Sequence, residues 1–122
     1  MTVAIFITGG NGFIGARLLR HLLPRTSEKV YCLIHSRADA FRSLPFARAL
    51  EIVEGGINDV AVYADSLARC DTVVHLAAAT GNVGPRRFRE VNVQGTGRLL
   101  DECRRSGVRN FACRATRRWA RG

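Results

Sequence analysis

Eight residues near the N-terminus, Thr8-Gly9-Gly10-Asn11-Gly12-Phe13-Ile14-Gly15, carry the first chemical signal in the chain. Gly9, Gly12 and Gly15 are spaced three apart, and Gly10, Gly12 and Gly15 also satisfy a G-x-G-x-x-G pattern. An early glycine permits a tight turn. A middle one lets the backbone approach a pyrophosphate, and the last lets a helix pack closely on a strand. The helix that follows presents free N–H groups and a partial positive charge to the phosphates. The chemistry implied is the holding of a dinucleotide. The pattern alone is weak. Its position between the apolar run Val3–Ile7 and the helix-like run Ala16–Leu23 favours a dinucleotide cradle over a merely structural turn.

The next site to inspect is the end of the second strand. An acid about 20 residues beyond the last glycine would hold the ribose 2′-hydroxyl of NAD. Gly15 plus 20 is His35, in LIHSR, and no acid follows until Asp39. Ser36 and Arg37, with His35 adding to them, suit a 2′-phosphate, so NADP is favoured over NAD. The alternative for Arg37 is a solvated loop charge.

Other chemistries find less support. Cys32, Cys70, Cys103 and Cys113 form no C-x-x-C pair and the three histidines are scattered, so no metal site is expected. Buried or incidental thiols in a reducing cytosol are the simpler reading, and the expected location is cytoplasmic. The net charge of +9 raises nucleic-acid binding as a question. No recognition motif and no aromatic-basic interleaving accompanies it, and residues 114–122 hold four arginines and no acid. Nucleic acid is therefore not the expected partner. No apolar run approaches the ~20 residues of a membrane span, and the N-terminal run lacks the basic lead of a signal peptide.

Positioning such a cradle requires strands and helices in alternation. Residues 3–8 read as a strand buried on both faces, and residues 13–23 as a helix ended by Pro24. Lys29–Ile34 and Leu50–Val53 read as strands. Residues 37–46 stay ambiguous, with a short helix closed by Pro45 as one option. Asn58 is expected to cap a helix from Asp59 to about Arg69. Asp71 leads a fourth strand, Thr72–Leu76. Pro85 opens a long helix to about Ser106, with Gly107 as its C-cap, and Val108–Cys113 begins a fifth strand. The fold class is α/β, a Rossmann-type doubly wound parallel sheet of order 3-2-1-4-5, with its crevice between the first and fourth strands.

Three motifs in this order carry a family resemblance: TGGNGFIG, then DTVVHLAA (Asp71–Ala78), then VNVQGT (Val91–Thr96) followed by LLDECRRSGVRNF. The chain resembles the extended short-chain dehydrogenase/reductases, the NAD-dependent epimerase/dehydratase family, over residues 3 to about 111. VYCLIHSR is also similar to the reductase domains that release thioesters as aldehydes or alcohols. The resemblance implies that Gly9, Gly12 and Gly15 form the phosphate turn, lined by Asn11, Phe13 and Ile14. It places Leu76, Ala77 and Ala78 along the central part of the cofactor. It puts Asn92 in contact with the cofactor near the active site, or as a helix residue bonding a neighbouring loop. His75 reads as a packed strand residue. One departure stands out. The family usually carries an acid after the third strand that bonds the adenine edge, and here Glu54-Gly55-Gly56-Ile57 puts Gly56 at that place. Adenine binding there would rest on backbone groups, and Asp59 reads as too far along to be the same residue.

Family chemistry also needs a tyrosine with a lysine four residues later. The tyrosine serves as general acid/base and the lysine lowers its pKa. Tyr31 plus four is His35, Tyr63 plus four is Leu67, and Lys29 precedes both. No catalytic residue is therefore assigned. After Phe111 the family's apolar strand gives way to ACRATRRWARG. The expected organisation is an NAD(P)-binding half over 1–111 and an irregular basic tail over 112–122, either out of frame or a surface extension. The expected function is the NAD(P)-binding part of an epimerase, dehydratase or reductase. Such an enzyme acts by hydride transfer on a nucleotide sugar or related carbonyl or alcohol, and no turnover is expected from this chain alone. The alternatives are a catalytically dead NAD(P)-binding module and a piece of a thioester-reductase-like enzyme. A truncated sheet would be marginally stable and prone to associate.

Overall fold

All five residues of the second strand are buried, with side chains alternating between two faces. Such a strand must sit inside a sheet covered on both sides. The computed structural model describes residues 4–35, 47–77 and 84–113 and builds that sheet. Strands β1 (Ala4–Thr8), β2 (Val30–Ile34), β3 (Leu50–Glu54), β4 (Cys70–His75) and β5 (Asn110–Cys113) pair in the order β3-β2-β1-β4-β5. Every pairing is parallel. This is the doubly wound order expected from the alternation of elements.

The two faces carry separate cores. Ile7, Val30, Cys32 and Ile34 pack with Leu19 and Leu23 from α1 (Phe13–Leu22) and the residue after it. Phe6, Tyr31, Leu33 and Val73 pack on the other face with Tyr63 and Leu67 of α2 (Val60–Leu67) and Leu99 and Cys103 of α4 (Thr96–Ser106). Each fully buried leucine or phenylalanine contributes about 1.5–3 kcal/mol relative to exposure. Gly107 closes α4 in the left-handed region at φ 76°, as its C-cap position requires.

Several element boundaries differ from the sequence reading. The second helix starts at Val60 with Asp59, not Asn58, in the N-cap position, and ends at Leu67. The long helix is not uniform. A first segment, α3 (Pro85–Arg89), passes through a π-helical stretch, Glu90–Gly95, before α4. Buried Gly95 lets this stretch approach the loop after β3, because a Cβ there would run into Ile57. The fifth strand begins at Asn110 and continues through Ala112 and Cys113, so β4 is paired on both sides and β5 is the edge. The ambiguous stretch 37–46 and residues 114–122 lie outside the described residues. Among the described residues no helix is long and apolar enough to cross a membrane.

Candidate functional site

The chain leaves β1 at Thr8 and must reverse into α1 within four residues. Gly9 makes that turn at φ 73°, a backbone region that side chains disfavour. Space is closed as well as conformation: a Cβ on Gly9 would lie 2.6 Å from the Ala77 nitrogen and 2.7 Å from the Leu76 carbonyl carbon. The Gly12 N–H donates to the Gly9 carbonyl at 3.0 Å, and Ala16 N–H donates to Gly12 at 2.9 Å, starting the helix. Gly15 is buried against the turn, where a Cβ would meet the Gly9 carbonyl oxygen and come within 2.7 Å of the Gly10 Cα. The first turn of α1 has no side-chain cap and no acid. Its leading N–H groups and dipole end are therefore left to an anion.

The floor beside this turn is held by a buried polar relay. The Thr8 hydroxyl oxygen accepts from the N–H groups of Leu76 and Ala77, both at 3.1 Å. With both acceptor sites used, its hydrogen is left for His75 Nδ1 at 2.6 Å. The network thus assigns the proton of His75 to Nε2, which donates to the Thr96 hydroxyl at 2.9 Å. Burial lowers the His75 pKa below its ordinary value, in keeping with a neutral ring. His75 is the packed strand residue expected, lying 6.1 Å from Phe111 by ring centroids. It also ties the β1–β4 corner to α4, a role its sequence context did not reveal.

An open cleft of about 600 Å³ spans the ends of β1, β2, β3 and β4. Gly9, Asn11, Gly12, Leu76 and Ala77 line it, as does His35. Gly15 sits behind the turn, and Asn92 lies on the π-helical stretch next to Val91, which does reach the cleft. Phe13 is 77 % exposed beneath the Arg17 guanidinium, 4.8 Å from its ring centroid, and Ile14 is also exposed, so neither forms the wall. Arg37 and Ala78 fall outside the described residues.

The opposite wall comes from the loop after β3 and from α3, and sequence reasoning missed most of it. Gly55, Gly56, Ile57, Asn58 and Asp59 contribute there, together with Arg87. Asn58 Nδ2 donates to the Glu90 carbonyl at 3.0 Å, clasping the loop to the π-helical stretch. Asp59 follows Asn58 in the same loop. Its carboxylate turns back and accepts the Gly56 N–H at 3.0 Å, and the same oxygen lies 3.1 Å from where a Gly56 Cβ would be. Three residues of sequence separation have closed to contact, because residues 56–59 form a turn in which the Asp59 N–H donates to the Gly56 carbonyl at 3.0 Å.

Neither tyrosine reaches this cleft. Tyr63 is fully buried, donates its hydroxyl to the Ile57 carbonyl at 2.8 Å, and has its pKa pushed up to about 12, first by burial. Tyr31 is buried in the same core. Burial also lifts the free thiols Cys32 and Cys103 to about 11 and Cys70 to about 12. Among the described residues no cluster of three His, Cys, Asp or Glu could hold a metal. The arrangement can bind and orient an anionic dinucleotide, with His35, Asp59 and Arg87 as the ionisable side chains that line the cleft.

Known proteins share this architecture. The model of the NAD dependent epimerase/dehydratase family matches residues 5–119. A dTDP-glucose 4,6-dehydratase of Mycolicibacterium smegmatis is 38 % identical over 112 residues, covering 86 % of this chain and 34 % of that protein. A 3 beta-hydroxysteroid dehydrogenase/Delta 5-->4-isomerase of Mycobacterium tuberculosis is 35 % identical over 115 residues, covering 88 % of this chain and 30 % of that protein. Among solved structures, the dTDP-glucose 4,6-dehydratase DesIV of Streptomyces venezuelae, with NAD and TYD bound, is 30 % identical at a TM-score of 0.75. That match covers 89 % of this chain and 38 % of DesIV. The chain thus spans about a third of the length of the curated relatives it matches.

Proposed function

The chain belongs to the NAD dependent epimerase/dehydratase family, and on that premise we propose that residues 1–111 are the cofactor-holding part of an NAD(P)-dependent enzyme. The pyrophosphate would sit over the Gly9–Gly12 turn against the α1 N-terminus, with Asn11, Phe13 and Ile14 beside it and Gly15 supporting the turn. Leu76, Ala77 and Ala78 would run along the centre of the dinucleotide, and Asn92 would support it near the nicotinamide. His35 and Arg37 would face the adenosine ribose, and with no acid at His35 the reading favours NADP over NAD. When bound, the nicotinamide would accept and return hydride. The chain's own residues would bind it, orient it and shield one side. The substrate would be a nucleotide sugar, such as the dTDP-glucose named for one relative, or a related alcohol or carbonyl compound. These 122 residues hold no tyrosine with a lysine four positions on, since Tyr31 is followed there by His35 and Tyr63 by Leu67.

One observation carries this reading: the uncapped, acid-free N-terminus of α1 opens directly beneath a glycine turn that lines the cleft. Calorimetric or fluorescence titration with NADPH and NAD tests it. Saturable binding at one site, tighter for NADPH, is the expected outcome. Absence of saturable binding by a folded sample would overturn it, and tighter binding of NAD would overturn the NADP preference alone.

A further inference from the structure

The buried relay beneath the glycine turn reaches the cleft through two peptide groups. Leu76 and Ala77 line the cleft, and their N–H groups donate back to the Thr8 hydroxyl oxygen. The Leu76 N–H is shared with the Thr8 carbonyl, also at 3.1 Å. The same two residues brace the phosphate turn, since the Ala77 nitrogen and the Leu76 carbonyl carbon are the nearest atoms to the absent Cβ of Gly9. Their placement depends on the Thr8 oxygen keeping both lone pairs turned toward them. It does so while its own hydrogen has an acceptor, and that acceptor is His75 Nδ1 at 2.6 Å. A proton added to the ring goes to Nδ1, because Nε2 already carries one for Thr96. The new N–H is a third donor at an oxygen with two lone pairs, and the Thr8 hydrogen loses its acceptor. One of the three donors must then give way in the floor of the cleft. The surroundings offer no relief. Around the ring stand Thr8 from β1, Thr96 from α4, and Phe111 and the thiol of Cys113 from β5, and none of these is an acid that could hold a charged imidazole.

We propose that His75 is a positioning residue whose neutral form sets the floor of the cleft for the dinucleotide, so that cofactor binding and protonation of His75 oppose one another. The proposal rests on the dinucleotide reading above. A charged ring would also attract the pyrophosphate, but across an open cleft that water and salt screen, whereas the displaced hydrogen bonds lie in the floor itself. Burial already holds the ring below its ordinary pKa of 6.5, so the effect falls on the acid side of that value. The test follows the rings of His21, His35 and His75 by NMR as pH is lowered, with and without saturating NADP. Bound NADP should lower the His75 midpoint by about one pH unit, equivalent to about tenfold weaker binding by the protonated form. His35 lines the cleft and should move up, since an anion acting by charge alone raises a histidine pKa. In His75→Asn, which keeps an acceptor near the Nδ1 position and cannot titrate, NADP should still bind at neutral pH. Its affinity should lose the part of the acid-side fall that the cofactor's 2′-phosphate does not account for. Should this variant fail to fold by circular dichroism, the wild-type titration still decides. A His75 midpoint unmoved or raised by bound NADP, or a ring that stays neutral until the protein unfolds, would overturn this proposal alone. No saturable binding of NADP by the folded wild type would overturn it together with the reading it rests on.

Discussion

Replacing Gly9 with alanine separates two costs that the structure assigns to one methyl group. The first is conformational. Gly9 sits at φ 73°, and an L-residue in the left-handed region loses about 1–2 kcal/mol. The second is steric. The new Cβ would press on the Ala77 nitrogen and Leu76 carbonyl carbon at 2.6 and 2.7 Å, both backbone atoms held by the Thr8 hydroxyl network. Overpacking of this kind costs about 1–3 kcal/mol. The sum is about 2–5 kcal/mol, a large part of the ~5–15 kcal/mol by which domains are stable. Gly107 supplies the control. It has φ 76° and open space around its Cβ direction, so Gly107→Ala should show the conformational cost alone, about 1–2 kcal/mol. Gly97 supplies a second control: with open space and no positive φ, it lies within α4, and Gly97→Ala should stabilise by up to about 1 kcal/mol. Urea unfolding followed by circular dichroism, read at constant slope, measures all three. Equal losses for Gly9→Ala and Gly107→Ala would refute the claim that the β1 corner and the start of the HLAA segment are in hard contact.

Other outcomes follow from the buried groups. Because the folded state holds His75 below its ordinary pKa of 6.5, the unfolded chain takes up the proton first as pH falls. Stability contributed by this group should be constant above about pH 6.5 and decline below it, and His75→Gln should flatten that part of the wild-type profile; an unchanged slope would contradict the neutral relay. Tyr63→Phe should cost about 1–2 kcal/mol by leaving the buried Ile57 carbonyl without its donor, read from the same urea titration. Of the four free cysteines only Cys113 is exposed, so a thiol reagent at neutral pH should label one site rapidly and Cys32, Cys70 and Cys103 only on unfolding. Rapid labelling of more than one thiol in the folded protein would contradict the two packed cores.

The sheet was legible because its signals are local and repeated. β2 is apolar at every position, which only a strand covered on both faces satisfies, and Gly9 and Gly15 mark places where backbone meets backbone. Strand order then follows from right-handed crossovers with little freedom left. Boundaries were less legible where side chains compete for the backbone. Asn58 and Asp59 are both good N-cap residues, and nothing local ranks them. Tertiary contact does: the Asn58 carboxamide is drawn to the Glu90 carbonyl, so Asp59 takes the N-cap position and α2 starts one residue later than expected. The π-helical stretch was illegible for the same reason. VNVQGT carries no sequence mark of a widened turn, which is held from outside by Asn58 and by the close approach of Gly95 to Ile57.

The far wall of the cleft couples two positions that a linear comparison treats one at a time. The linear comparison finds glycine where the family usually has an acid and leaves adenine binding there to backbone groups. In space the absence at 56 is what admits a carboxylate from elsewhere: a side chain at Gly56 would occupy the position that the Asp59 oxygen now approaches to 3.1 Å. The two residues are therefore coupled, and their substitutions should not add. Asp at 56 with Asp59 retained would set two carboxylates in contact and raise the cost of ionising both. Gly56→Asp alone should then destabilise the protein more at neutral pH than at pH 4, whereas Gly56→Asp/Asp59→Ala should lose that pH dependence. A single variant as stable at pH 7 as the double variant would show that Asp59 swings free of Gly56, and that the wall has no fixed acid.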